Sequence, residues 1–172
     1  MERRTYLAGM AGLIAGTAGC LDLGGQSDSV SDEPFSSYTC PPEGIDAEGR
    51  ELWCSHTADA DDRELVLEPS VEQSPNPSEV RLHLTNESET SMRFNPASWS
   101  IWLEQSGEWR ALEQTWVGDG FADLGPGQTH EWGFEEVIEL INDRFDPEPA
   151  TYLAAIATPR GSPAALLRIT DD

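Results

Sequence analysis

The sequence predicts an all-β protein built as an antiparallel β-sandwich. Short apolar segments recur after residue 63, and turn residues such as Gly, Pro and Asn separate them. Val80, Leu82 and Leu84 alternate with Arg81 and His83, which is the period-two pattern of a strand with one buried face. About seven to nine short strands at this spacing are typical of a sandwich.

Composition divides the chain of 172 residues into four segments. Residues 1–19 are predicted to be a cleaved signal peptide, and residues 20–37 a lipidated, disordered tether. Residues 38–62 are predicted to form a disulfide-closed loop with an acidic connector. Residues 63–172 are predicted to form the sandwich, and the part after residue 37, about 135 residues, suits one domain with one core.

The first segment has the features of an export signal. Arg3 and Arg4 precede an apolar run over residues 6–18, which is shorter than the ~20 residues of a membrane-spanning helix. The sequence Arg-Arg-Thr-Tyr-Leu at residues 3–7 resembles the twin-arginine signal. That resemblance implies export through a receptor that reads the signal.

The signal ends in a sequence that resembles the lipobox of exported lipoproteins. Residues 17–20 read Thr-Ala-Gly-Cys, with Thr17 where the lipobox usually has Leu. The resemblance implies that Cys20 is lipidated and becomes the first residue of the mature chain. The Gly-, Ser- and Asp-rich residues that follow suit a flexible tether. We therefore expect a location at the extracellular face of the cytoplasmic membrane, held by the lipid on Cys20.

The chain is strongly acidic, with a formal charge of −22 and 32 acidic residues against 10 basic ones, all of them Arg. This charge argues against nucleic acid as a partner, because both carry the same sign. One explanation is cation binding by Asp59, Asp61 and Asp62. The other is a solvated surface suited to high salt, which the even spread of acids and the absence of Lys favour. With its leader, the chain resembles exported lipoproteins of halophilic archaea.

Cys40 and Cys54 form an even pair once Cys20 is assigned to the lipid. Export permits a disulfide between them. Closing this loop of about 15 residues stabilises a fold by ~3 kcal/mol in the chain-entropy model. The alternative is a metal site with His56, although two Cys and one His lack the usual paired spacing of a zinc site.

The predicted strands follow one another along the chain with a turn between neighbours. Pro69 suits an edge strand or a bulge in the first of them. Gln-Ser-Gly at residues 105–107 predicts a hairpin turn, and residues 135–145 predict a short amphipathic helix. The strands are predicted over residues 64–71, 79–85, 92–94, 99–104, 108–117, 128–134, 152–157 and 164–169.

The order of these motifs also resembles a known family. Pro-Asn-Pro at residues 75–77 leads into a strand, Asn95-Pro96 ends another, and Leu-Gly-Pro-Gly-Gln at residues 124–128 precedes the strand of Trp132. Together they resemble immunoglobulin-like domains of exported bacterial and archaeal proteins of unassigned role, over residues 63–170. The resemblance implies the fold and brings no activity, cofactor or catalytic residue. The cysteine pair precedes the sandwich, so it cannot be the inter-sheet bridge of antibody domains.

The six tryptophans are candidates either for core packing or for contacts with a partner. Trp99 and Trp102 are three residues apart, so in one regular strand they face opposite sides of the sheet. We expect one of them to be exposed and available to a sugar or a protein. Asn86-Glu87-Ser88 fits the N-glycosylation pattern in a predicted turn, which makes Asn86 a candidate glycosylation site.

The chain shows no catalytic motif that would identify an enzyme. His130 and Glu131 are adjacent, but neighbouring residues of a strand point to opposite faces, and His83 is predicted on a solvated face. We assign no catalytic residue, cofactor or metal ligand. The sequence favours a binding or structural module at the cell surface with a protein or glycan partner. The alternatives are a loop-based enzyme or enzyme inhibitor, and a divalent-ion or solute carrier.

Overall fold

The computed structural model describes residues 34–47, 49, 51–57, 64–115 and 118–171. Several predicted features lie outside the described residues and remain predictions. They are the export signal at Arg3 and Arg4, the lipidation of Cys20, the acidic connector Asp59–Asp62 and the role of Trp116. No helix among the described residues is long and apolar enough to cross a membrane.

The described residues form an immunoglobulin-like β-sandwich, as predicted, with eleven strands and one α-helix. In chain order the elements are β1 (Leu52–Cys54), β2 (Leu65–Pro69), β3 (Gln73–Ser74), β4 (Arg81–Asn86), β5 (Met92–Phe94), β6 (Trp99–Gln105), β7 (Glu108–Ala111), β8 (Ala122–Leu124), β9 (Thr129–Gly133), α1 (Phe134–Ile141), β10 (Ala150–Ile156) and β11 (Ser162–Ile169). The additional strands β1, β3 and β8 have only two or three residues. Segments this short cannot show the alternation of apolar and polar residues from which a strand is predicted.

The first sheet has the strand order β1-β11-β10-β6-β7. β10 pairs antiparallel with both β11 and β6. β1 and β3 both pair parallel with β11, on the edge that β10 leaves open. The sandwich is therefore antiparallel except along this edge.

The second sheet has the order β2-β4-β9, and β5 pairs with β8 in a separate two-stranded sheet. The alternation predicted for β4 is confirmed, because Leu82 and Leu84 are fully buried while Arg81 is exposed and His83 is half-buried. The larger core lies between the inner face of the first sheet and the second sheet, with α1 closing one end through Phe134 and Ile138.

Tyr152 on β10 links this core to the backbone of the segment that precedes β10. Its hydroxyl donates to the Glu148 carbonyl oxygen at 2.7 Å and accepts from the Glu148 N–H at 3.0 Å. The geometry resembles the tyrosine corner of immunoglobulin-like sandwiches, in which a tyrosine hydroxyl bonds to the backbone a few residues upstream. Burial raises the pKa of Tyr152 to about 12.

The outer face of the first sheet is covered by residues 34–47, the covering segment. Phe35, Cys54, Trp102, Leu153 and Leu166 belong to a second buried cluster on this face. β10 and β11 are consequently apolar on both faces, which is why their sequences lack alternation. The predicted disordered tether, residues 20–37, is wrong at its C-terminal end, because Phe35 is only 2% exposed.

The predicted disulfide between Cys40 and Cys54 is confirmed, with Cα atoms 5.7 Å apart. It joins the covering segment to β1. Both sulfurs are used in this bond, so the alternative metal site with His56 is wrong. β1 is held further by Trp53, whose indole N–H donates to the Leu65 carbonyl oxygen at 3.0 Å.

Two predicted element boundaries differ from the structure. β7 ends at Ala111 and not at residue 117, because the chain turns toward α1 and the Thr115 N–H donates to the Ile141 carbonyl oxygen at 2.8 Å. The predicted helix at residues 135–145 ends at Ile141, where Asn142 leaves helical geometry.

Candidate interaction surface

The hairpin of β6 and β7 forms one edge of the first sheet. Ser106 and Gly107 connect the strands with φ angles of 56° and 81°. Two consecutive positive φ values are those of a type I′ turn, which matches the twist of a two-residue hairpin. The turn fixes the register, with Gln105 opposite Glu108 and Trp102 opposite Ala111. Among the described residues, β7 is the last strand on its side of the sheet.

The backbone of β7 presents hydrogen-bonding groups to this open edge. In an antiparallel pair, residues alternate between those that bond to the partner strand and those whose N–H and C=O point away from it. The Leu112 N–H donates to the Ile101 carbonyl oxygen at 2.8 Å, so Arg110 also faces β6, whereas Trp109 and Ala111 face outward. Within the part of the chain that the structure describes, no backbone partner meets Trp109 or Ala111 on this side.

A pocket of about 200 Å³ lies beside the same edge. Small side chains from β6, β7 and β10 line it, among them Ser100, Ala111 and Ala155, and Trp102 also contributes to its wall. Asp46 and Ala47 of the covering segment line it from the opposite side. Pockets for drug-sized ligands have volumes of about 300–1,000 Å³. This smaller pocket therefore suits a single side chain or a small solute.

Trp99 and Trp102 lie on opposite faces of β6, as predicted, but the expected exposure of one of them is wrong. Trp99 is 2% exposed and Trp102 is 9% exposed. Trp99 packs edge-on against Trp132 with ring centroids 4.9 Å apart. Trp102 belongs to the cluster under residues 34–47. The sequence could not show that a loop segment covers the second face.

The large exposed aromatic side chain is Phe121, which is 80% exposed. It ends a loop after β7 that is held by Asn95, whose side-chain amide donates to the Gly118 carbonyl oxygen at 2.8 Å. The exposure of Phe121 was not predicted from the sequence. Its neighbours are Gly, Asp and Ala, which form no apolar periodic pattern, and this could have indicated that the phenyl ring is not buried.

Asn86 is not available as a glycosylation site in the folded domain. Its side chain is fully buried, and its amide nitrogen donates to the carbonyl oxygens of Thr90 at 2.9 Å and Leu124 at 3.0 Å. Its amide oxygen accepts from the N–H and hydroxyl of Ser88. The glycosylation prediction is wrong, because the atom that would carry the glycan holds this turn together.

The three histidines His56, His83 and His130 lie in separate surroundings. His83 bonds to Glu131 at 3.0 Å across the outer face of the second sheet. His130 packs against Trp132 with ring centroids 4.3 Å apart, on the other face of β9. The Nε2 atom of His56 lies 3.3 Å from the Tyr38 carbonyl oxygen. Among the described residues, no three His, Cys, Asp or Glu side chains form a group that could hold a metal ion.

An exposed ion pair joins β5 and β8 in the small sheet. The Arg93 guanidinium donates to both carboxylate oxygens of Asp123, at 2.8 and 3.1 Å. This hydrogen bonding lowers the pKa of Asp123 and raises that of Arg93. Both side chains are mostly exposed, so the pair contributes little to stability.

Comparisons with known proteins give weak structural likenesses only. No protein-family model and no curated protein sequence matches the chain. The archaellum periplasmic stator protein FlaG from Sulfolobus acidocaldarius is similar with a TM-score of 0.35 and 14% identity, over 60% of this chain and 99% of that one. The complex of FlaF and FlaG from the same organism gives 0.34 and 14%, over 77% and 99%.

A bacterial structure gives a likeness of the same size. Spo0M, a sporulation control protein from Bacillus subtilis, is similar with a TM-score of 0.34 and 11% identity. The similarity covers 63% of this chain and 49% of Spo0M. Likenesses at this level do not assign a function.

Proposed function

We propose that this chain is an exported, lipid-anchored protein whose immunoglobulin-like domain is a binding or structural module at the extracellular face of the cytoplasmic membrane. The Cys40–Cys54 disulfide is the observation that carries the proposal, because such bonds persist mainly in exported proteins. A leader with Arg3 and Arg4 that ends at Cys20 agrees with this compartment.

The position of Phe35 limits how far the domain lies from the proposed anchor. Fourteen residues, 21–34, separate Cys20 from Phe35. Even a fully extended chain of this length spans at most about 50 Å. The domain then stays close to the membrane surface, within reach of other surface proteins.

A binding role fits the described surface better than a catalytic one. A pocket and an open strand edge lie next to each other at β7. The three histidines have different neighbours, and each of their identified contacts has a packing or hydrogen-bonding role. No specific arrangement of the described residues favours an enzyme, an inhibitor or an ion carrier, so we propose a non-catalytic module.

Fractionation of a haloarchaeal host that expresses the full chain tests the proposal. We expect the wild-type protein in the membrane fraction, with a lipid mass on Cys20 and residues 1–19 absent. Cys20→Ser is expected to release the protein from the lipid anchor, and the double variant Arg3→Lys, Arg4→Lys is expected to remain in the cytoplasm. An intact Met1 or an unmodified Cys20 on surface protein would overturn the anchoring.

A further inference from the structure

We propose that the open edge of β7 and the adjacent pocket form one docking site for an extended, basic segment of a partner protein. The segment adds a strand beside β7 and places one apolar side chain in the pocket. This inference rests on the proposed function as a binding module and names its site and the chemistry of its partner.

The first argument is the backbone of β7. Trp109 and Ala111 direct two N–H and two C=O groups away from β6, as the bond from Leu112 to Ile101 requires. An extended peptide that binds such an edge gains affinity from main-chain hydrogen bonds and specificity from pockets for alternate side chains. The edge has four residues and carries no proline, the residue that often blocks pairing at natural edges.

The second argument is the position of the pocket relative to that edge. Ala111 lines the pocket and lies opposite Trp102 on the outer face. A residue that pairs with Ala111 from an added strand has its Cβ about 4.5–5.5 Å from the Ala111 Cβ, on the same face. Its side chain is therefore directed toward the pocket. The volume of about 200 Å³ suits one side chain, and the methyl groups of Ala111 and Ala155 favour an apolar one.

The charge around β7 distinguishes between the segments that could bind at this site. Glu108 at the start of β7 and Glu113, two residues past its end, are exposed, and Arg110 is the single exposed base on the strand. Residues 21–33 of the same chain carry four acids and no base, and a second copy carries the same charge of −22. Like charges disfavour both of these occupants, most strongly at low salt. A basic segment of another protein is the complementary one.

A set of nine-residue peptides tests the site on the full-length mature protein. The probe has Arg at its two ends and Thr around a central Leu, so that Leu can face the pocket while the Arg side chains lie beyond the residues that pair with Trp109 and Ala111. We expect it to bind by fluorescence anisotropy and to slow amide hydrogen exchange at Trp109 and Ala111. Replacing the central Leu by Ser, or every Arg by Glu, is expected to weaken binding at least ten-fold.

Two variants separate the edge from the pocket. Ala111→Pro removes an N–H that does not bond to β6, so we expect a folded protein that loses peptide binding. Ser100→Leu fills the pocket, and we expect a ten-fold loss for the Leu peptide with little change for the Ser peptide. Phe121→Ser is the control, because this exposed side chain lies outside the pocket. Near-ultraviolet circular dichroism verifies that each variant is folded.

Several results would overturn the inference. One is that the Leu peptide leaves hydrogen exchange at β7 unchanged. Another is that a peptide of residues 21–33 binds more tightly than the Leu peptide. The third is that Phe121→Ser loses peptide binding while Ser100→Leu retains it. If the wild-type protein forms a dimer that dissociates in Ala111→Pro, the site is occupied by a second copy of the chain. Surface location and lipidation of Cys20 are measured independently, so a lipidated protein that fails these binding tests contradicts this inference alone.

Discussion

Trp99 and Trp102 project from opposite faces of β6, and both are buried. Trp99 packs in the core between the sheets. Trp102 is covered by residues 34–47, which contain Phe35 and are joined to β1 by the Cys40–Cys54 disulfide. The burial of Trp102 therefore depends on a segment that lies outside the two-sheet sandwich and is fastened to β1.

The disulfide is expected to hold this covering segment in place. The double variant Cys40→Ser, Cys54→Ser should lose about 3 kcal/mol of unfolding free energy, because the closed loop restricts the unfolded chain. We also expect a red shift of tryptophan fluorescence as water reaches Trp102. Urea unfolding and emission spectra measure the two effects, with the reduced wild type as the matched comparison. An unchanged emission maximum would show that packing alone retains the segment.

Asn86 is expected to be structural and unglycosylated. Asn86→Ala removes the donor to the buried carbonyl oxygen of Leu124, whereas the carbonyl oxygen of Thr90 still accepts from the Ser88 hydroxyl. A loss of about 2–3 kcal/mol follows from this unsatisfied burial. Urea unfolding measures it, with Glu87→Ala at an exposed neighbouring position as the control, expected within about 0.5 kcal/mol of wild type. A glycan on Asn86 in the peptide mass spectrum of folded protein would contradict the structure.

Tyr152 is expected to make the domain less stable at alkaline pH. Its pKa rises from 10.0 to about 12 in the folded state, chiefly through burial. Because the folded state holds the proton more tightly, this stabilisation is complete below pH 10 and is lost as the pH rises toward 12. Unfolding at several pH values should show the loss in wild type and in Tyr38→Phe, and a smaller loss in Tyr152→Phe. Identical alkaline profiles for the two variants would exclude Tyr152 as the cause.

The acidic surface is expected to make stability depend on salt. The formal charge of −22 repels itself, and the screening length falls from about 10 Å at 0.1 M to about 3 Å at 1 M salt. The melting temperature of the mature protein should rise with KCl over this range. Sucrose favours burial without screening, so it separates the two contributions and should give a smaller rise. A melting temperature indifferent to molar KCl would remove the basis for a salt-adapted surface.

Features that depend on local pattern could be predicted from the sequence alone. The alternation around Leu82 and Leu84 predicted β4, because a strand with one buried face needs that period. The Gly at residue 107 predicted the hairpin between β6 and β7, since its turn requires positive φ angles. The pairing of Cys40 with Cys54 followed from their number and from the export signal.

Which surfaces are covered depends on contacts between segments that are distant in sequence. Whether Trp102 meets water depends on residues 34–47, which are far from β6 along the chain. The burial of Asn86 depends on Leu124, 38 residues away. In the described part of the chain the edge of β7 is open, and after Leu112, which bonds to Ile101, Thr115 bonds to the end of α1. These outcomes depend on contacts between distant segments, and no local periodicity encodes such contacts.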